Sequence, residues 1–183
     1  MVLEFIFDKI ELMKIGFTLI ELLVVISMIL TLILLSFPYY REAQKNYILE
    51  NSAREIEKTI KRVREMAISS REVENPNNPL QRIVPHGGYG LYFGSQEITI
   101  FADINEDFKY TSNSDWVLER VNIEPKTKIS SSGFVVVFKP PHPTVVLDRD
   151  PNSTSSVLIV TLQSDTSKQK RIQLNKTGLV YVE

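Results

Sequence analysis

Apolar positions fall into three regimes along this chain. Residues 17–37 form a nearly continuous apolar run of twenty-one residues whose only charge is Glu21. At about 1.5 Å rise per residue a helix of that length spans roughly 30 Å, the thickness of a bilayer's hydrocarbon core. Pro38 closes the run, and Tyr39 and Tyr40 suit a membrane–water interface. The pattern predicts a transmembrane helix over 17–38.

In the second regime Leu49, Ala53, Ile56, Ile60, Val63 and Ala67 recur at steps of four and three, which places them on one face of a helix. Arg54, Glu55, Glu57, Lys58, Lys61, Arg62, Arg64 and Glu65 lie between them as a mixed-charge face. Glu57 and Lys61 stand as an opposite-charge i,i+4 pair and Lys58 and Arg62 as a like pair, so the charges give no large helical bonus. The reading is an amphipathic continuation of the helix over 39–75 that covers a sheet of the same chain, in preference to a short coiled coil. Asn75-Pro76-Asn77-Asn78-Pro79 is expected to stop it.

From residue 76 onward the period shortens to that of strands, expected over 82–84, 90–93, 97–102, 116–123, 134–138, 144–147, 157–162, 169–174 and 179–182. His86-Gly87-Gly88, Ser131-Ser132-Gly133, Pro140-Pro141-His142-Pro143 and Asn175-Lys176-Thr177-Gly178 are the turn signals between them. Short connections favour antiparallel pairing, because parallel crossovers need a dozen or more residues. The fold class is therefore α+β: a long N-terminal helix, its first half transmembrane, packed on an antiparallel β-rich head over 76–183.

Glu21 is the anomaly in the apolar run. A carboxylate near the centre of a spanning helix costs about 2.5–3.5 kcal/mol, so it either reaches the headgroups or has a partner. Gly16 stands immediately before Phe17, with Lys14 upstream. A cut between Gly16 and Phe17 would create an amine at the tip of the helix, and a carboxylate on a neighbouring copy would neutralise it. Two charges costly singly in lipid become tolerable as a pair.

The run GFTLIELLVVISMIL resembles the prepilin-type processing and methylation motif of type IV pilins and type II secretion pseudopilins. The resemblance implies cleavage after Gly16 by a prepilin peptidase, N-methylation of Phe17, and a role in assembly for Glu21. Pro38 falls where many members of the family carry a helix-bending proline. The implied partners are the peptidase, other pilins or pseudopilins, an inner-membrane assembly platform and membrane lipid. The implied location is the inner membrane, single-pass, with the head outside the cytoplasm. Lys14 on one side against Arg41 and Lys45 on the other fixes orientation poorly by itself. Residues 1–16 are the leader; Glu4, Asp8 and Glu11 outnumber Lys9 there, so Met13 is the expected start, with a genuine extended leader as the alternative. Gly88-Tyr89-Gly90-Leu91-Tyr92-Phe93, the 101–107 segment and a closing hairpin at Thr177-Gly178 are similar to minor pseudopilins of the GspH and FimT kind.

Composition narrows the chemistry. Removing residues 1–16 leaves nineteen basic and nineteen acidic residues, so no globally basic surface faces nucleic acid. There is no cysteine, which excludes a disulfide, a thiolate metal site and a cysteine nucleophile. Asp103, Asn105 and Asp107 alternate like the opening of a calcium loop, but Phe108 stands where glycine is needed and Ser114 where a bidentate glutamate belongs. An acidic turn bonded to its own backbone is the plainer reading, with calcium held by Asp103, Asn105 and Asp107 as the alternative, and no other cofactor is expected. His86 and His142 read as surface-loop residues, and Asn152-Ser153-Thr154 as a chance sequon. No nucleophile–base set or phosphate loop points to catalysis. Lys168, Lys170, Arg171 and Lys176 form a local basic cluster. FimT-like minor pilins are associated with DNA uptake, but such members carry arginines after the final glycine, where Leu179, Val180 and Tyr181 stand here. Outward charges that protect an edge strand are the preferred account of the cluster. The sequence reads as a non-enzymatic filament subunit; a DNA-binding minor pilin and a lone membrane-tethered β domain are its rivals.

Overall fold

The computed structural model describes residues 16–76, 78–142, 144–148 and 153–183. The expected start at Met13, the body of the leader and Asn152 of the sequon lie outside the described residues. Contacts divide the chain into two compact units, Met1–Ala43 and Gln44–Glu183.

The described part of the first unit is helical from Leu19 onward. The helix that starts there, α1 (Leu19–Ile68), is the one helix among the described residues long and apolar enough to cross a membrane. Its apolar side chains in this unit are bare, among them Ile20 at 71% and Leu34 at 74% exposure. Burying each such side chain is worth about 1.5–3 kcal/mol, so over the run lipid or neighbouring helices outweigh the one carboxylate. The hydroxyls in the run need no outside partner: Ser27, Thr31 and Ser36 donate to the carbonyls of Val24, Ser27 and Leu32 at 2.8, 2.8 and 2.9 Å. Pro38 lies inside α1, so the Leu34 carbonyl has no backbone N–H four residues on.

In the second unit α1 buries Leu49, Ala53, Ile56, Ile60, Val63 and Ala67, as their spacing predicts, and with them Ser52 and Thr59. Both hydroxyls are satisfied: Thr127 Oγ1 donates to Ser52 Oγ at 3.2 Å, and Thr59 Oγ1 to the Glu55 carbonyl at 2.9 Å. The Lys61–Glu57 pair forms at 2.6 Å. The helix stops at Ile68 instead of continuing to 75. Ser70 takes a positive φ of 46° there. Its N–H bonds the Ala67 carbonyl at 3.1 Å and the Arg71 N–H bonds the Met66 carbonyl at 3.0 Å. These two bonds make a Schellman cap with serine in the place usual for glycine. The Asn/Pro stretch instead turns a small hairpin, β1 (Val73–Asn75) with β2 (Asn78–Ile83).

Two larger antiparallel sheets build the rest. One has the order β5-β4-β3-β7-β8, from β3 (Gly88–Phe93), β4 (Glu97–Asp103), β5 (Trp116–Asn122), β7 (Phe134–Lys139) and β8 (Thr144–Leu147). The other has the order β11-β10-β9-β6, from β6 (Thr127–Ile129), β9 (Ser155–Leu162), β10 (Gln169–Asn175) and β11 (Val180–Val182). One core joins the buried stripe of α1 to the inner faces of both, through residues such as Tyr89, Leu91, Ile100 and Val136 in one sheet and Leu158, Val160 and Ile172 in the other. The architecture is thus α+β, a long helix packed on antiparallel sheets. Strand β1 falls where the helix is expected to continue, and β6 has no counterpart in the expected pattern.

A second, smaller cluster lies on the other face of the five-stranded sheet. Phe101, Val135, Val137 and Val146 are buried there under Tyr92, Phe108 and Tyr110. Gly90 pairs with Phe101 across the β3–β4 ladder. A Cβ on Gly90 would lie 2.1 Å from Phe101 Cζ, so only glycine leaves room for the ring.

Candidate functional site at the start of the apolar helix

Gly16 and Phe17 precede the helix and belong to no regular element. Phe17 is 77% exposed, and a side chain at Gly16 would meet nothing within 4 Å. The peptide bond between them is therefore open on all described sides. Two residues on, the chain becomes helical for a local reason. Thr18 Oγ1 accepts the Glu21 N–H at 3.3 Å, while Glu21 Oε2 accepts from the Thr18 N–H at 2.9 Å and from the Thr18 hydroxyl at 2.8 Å. This reciprocal arrangement is a capping box, which satisfies backbone donors otherwise orphaned at a helix start. In a bilayer such donors have no water to bond, so the box matters more there than on a soluble surface. Thr18 is the residue the sequence reading missed, although threonine three residues before glutamate at the head of an apolar run is the signature of a box.

The Asp103–Asp107 segment is an acidic turn. Asp103 is fully buried at the end of β4. Its Oδ1 accepts the Glu106 N–H at 2.8 Å and its Oδ2 the Phe108 N–H at 3.0 Å. Asn105 Oδ1 accepts from the Asp107 N–H at 3.4 Å, and Asp107 Oδ1 from the Lys109 N–H at 2.9 Å. All three side chains thus bond the loop backbone two to five residues on, and among the described residues no three acidic or histidine side chains are grouped to hold a metal. Asp115 closes the same loop, its Oδ2 accepting the Thr111 N–H at 2.7 Å, with the Ile104 backbone N–H as a second, weaker donor to the carboxylate. Burial raises the Asp103 and Asp115 carboxyls above their ordinary value, and neighbouring carboxylates add to the rise. Gly87 makes room for this arrangement, since a Cβ there would lie 2.3 Å from Asp103 Cγ.

The four basic residues near the C-terminus do not converge on a common patch. Lys168 Nζ donates to Asn46 Oδ1 at 2.9 Å and Lys170 Nζ pairs with Glu50 Oε2 at 3.1 Å, so both lean on α1. Lys170 also holds the Glu50 carboxyl below its ordinary value. Arg171 is exposed on β10, and Lys176 in the turn that follows. Strand β11 pairs only with Ile172–Leu174 of β10, and Arg171 bonds Glu183, so Gln169 and Lys170 lie on a stretch of β10 that β11 leaves uncovered. His86 and His142 are exposed loop residues, as expected. No family model matches the chain, and neither the curated proteins nor the solved structures include a match to it.

Proposed function

We propose that the chain is a non-enzymatic filament subunit, a pseudopilin or minor pilin, made as a precursor and assembled through its apolar helix. The observation that carries this reading is an exposed Gly16–Phe17 bond directly ahead of a capped apolar helix, in the sequence context GFTLIELL. A protease needs an accessible backbone at its cut, and this bond is exposed and lies outside any helix or strand. The bare apolar side chains of residues 17–37 supply the drive for assembly, first in lipid and then against other helices. Glu21 pairs with the Phe17 amine of a neighbour, which removes two lone charges from a low-dielectric surround. The antiparallel head is displayed on the outer side of the membrane, where its loops meet partners. Prepilin peptidase, other pilins or pseudopilins and an inner-membrane platform are the partners of this scheme.

Intact-mass measurement of the protein purified from cells with a working prepilin peptidase tests the first step. The expected mature chain begins at Phe17 and carries one added methyl group. A chain that retains Gly16 refutes the proposal. Glu21→Val is expected to insert and be cleaved normally but to be missing from filaments; normal incorporation removes Glu21 from the mechanism.

A further inference from the structure

We propose that the tip of the β1–β2 hairpin of one copy inserts into the groove beside β5 of the next, with Leu80 as the side chain that fills it. The inference rests on the assembly of copies proposed above. The hairpin is rooted at its base, where Val73 belongs to the core, while Asn78, Pro79, Leu80, Gln81 and Arg82 are exposed. Leu80 is 96% exposed, the barest large apolar side chain among the described residues. One exposed leucine means little by itself. Here it sits on a two-stranded ribbon, which is at best marginal alone in water, and the same head carries a receptor for it. A groove of roughly 720 Å3 is lined by β1, which pairs only with β2, and by β5, which pairs only with β4. Met66, Val117 and Leu118 give it apolar lining, and the chain's own Leu80 does not reach it. Its charges balance: Arg62, Arg71 and Arg82 are matched by Glu72, Glu74 and Glu119, with Arg62 paired to Glu119 at 3.0 Å and Arg82 paired to Glu74. A charged insert would bury a lone charge there, whereas residues 75–81 carry none. The free edge of β5 adds backbone N–H and C=O groups, which the side-chain amides of Asn78 and Gln81 can meet. Pro79 lacks an N–H, so side chains make the contact and the two sheets do not merge into one ladder. Tip and groove are different surfaces, so the contact is heterologous and repeats from copy to copy, as a helical filament requires. It buries less than the roughly 1,000 Å2 that a stable complex of free proteins needs. It therefore forms where the apolar helices hold copies side by side, and a head without that run stays monomeric.

The chain has no cysteine, so single introduced cysteines report the contact. The test uses two full-length precursors, Leu80→Cys and Val117→Cys, made together in cells with a working prepilin peptidase and oxidised in the filament fraction. The expected product is a disulfide-linked pair of one Leu80→Cys chain and one Val117→Cys chain. In cells that also make the unaltered chain, Leu80→Asp is expected to be cleaved normally but depleted from the filament fraction roughly tenfold, since the lost burial of one leucine is of that order. Leu80→Met keeps the apolar bulk and is expected to compete evenly. If both cysteine variants reach the filament fraction without linking to each other, or Leu80→Cys links to itself or to a different protein instead, the inference is wrong and assembly through the helix stands. Even competition by Leu80→Asp overturns it in the same way. If the chain never enters a filament fraction, the proposed function fails and this contact falls with it.

Discussion

Two buried aspartates of the same loop behave differently because of where their oxygens point. Each Asp103 oxygen accepts a backbone N–H at 3.0 Å or less, whereas Asp115 has one close backbone donor, Thr111, and one weaker one, Ile104. Asp103→Asn must turn an amide NH2 toward one of those N–H groups, leaving a buried donor unpaired at about 1–3 kcal/mol. Asp115→Asn keeps the close Thr111 bond on its carbonyl, loses only the weaker Ile104 contact and removes a desolvated charge, so it is expected to cost less than Asp103→Asn at neutral pH. Urea unfolding of the detergent-solubilised chain at neutral pH separates the two variants. The raised carboxyls also set a pH dependence. Above their ordinary value of 3.8 both hold protons in the folded head that the unfolded chain has released, so their contribution to stability rises as the pH falls toward 3.8. Glu50 runs the other way: Lys170 lowers its carboxyl from 4.5, and the stability it adds is lost as the pH falls below that value. Asp115→Asn is therefore expected to flatten the gain on mild acidification, read from unfolding midpoints between neutral pH and 4. An unchanged profile would remove Asp115 from this account.

At the scale of elements, ends were harder to read than faces. The buried stripe of α1 is visible as a period because six apolar residues repeat it over five turns, and tertiary packing then selects that face. Ser52 and Thr59 lie on the same face but carry hydroxyls, so composition hides them even though their bonds are made inside the fold. The end of the helix left no mark, because the Schellman cap uses Ser70 and a glycine is the usual signal. The Asn/Pro cluster gave a strong breaker signal, yet it turns the β1–β2 hairpin instead. This assignment is testable. A non-glycine residue in the left-handed region is strained by roughly 1–2 kcal/mol, part of which glycine repays in unfolded-chain entropy. Ser70→Gly is expected to stabilise the chain by about 0.5–1 kcal/mol, and Ser70→Val to destabilise it. In the neighbouring sheet Gly90→Ala is expected to cost about 1–3 kcal/mol, because the Phe101 ring must move from its place against Tyr110. Wild-type stability of Gly90→Ala would mean that the ring has another site.

For the whole molecule, the hydropathy profile marks the membrane run and the strand-rich half but not the line between independent parts. The helix that the sequence reads as covering a sheet of the same chain shares one core with the sheets, because Leu49, Ala53, Ile56, Ile60 and Val63 of α1 belong to the same cluster as Leu91, Val136, Val160 and Ile172. Residues 44–68 are thus part of the head, in keeping with the second unit beginning at Gln44. Two fragments test this. One that starts at Gln44 keeps the whole buried stripe and loses the bare apolar run. It is expected to be soluble without detergent, monomeric by size exclusion, and to unfold cooperatively. One that starts at Pro76 strips the helix from both sheets and bares their inner apolar faces, and is expected to aggregate or stay unfolded. Tyr89 sharpens the comparison, since its buried hydroxyl donates to the Arg71 carbonyl just past the helix cap and burial pushes its pKa up to about 12. Only the longer fragment retains that acceptor. Its Tyr89 is expected to stay protonated at a pH near 11, where an exposed tyrosine ionises, and ultraviolet titration reads the difference. A folded, monomeric fragment beginning at Pro76 would show that the two sheets hold together unaided and that the helix is only a stalk.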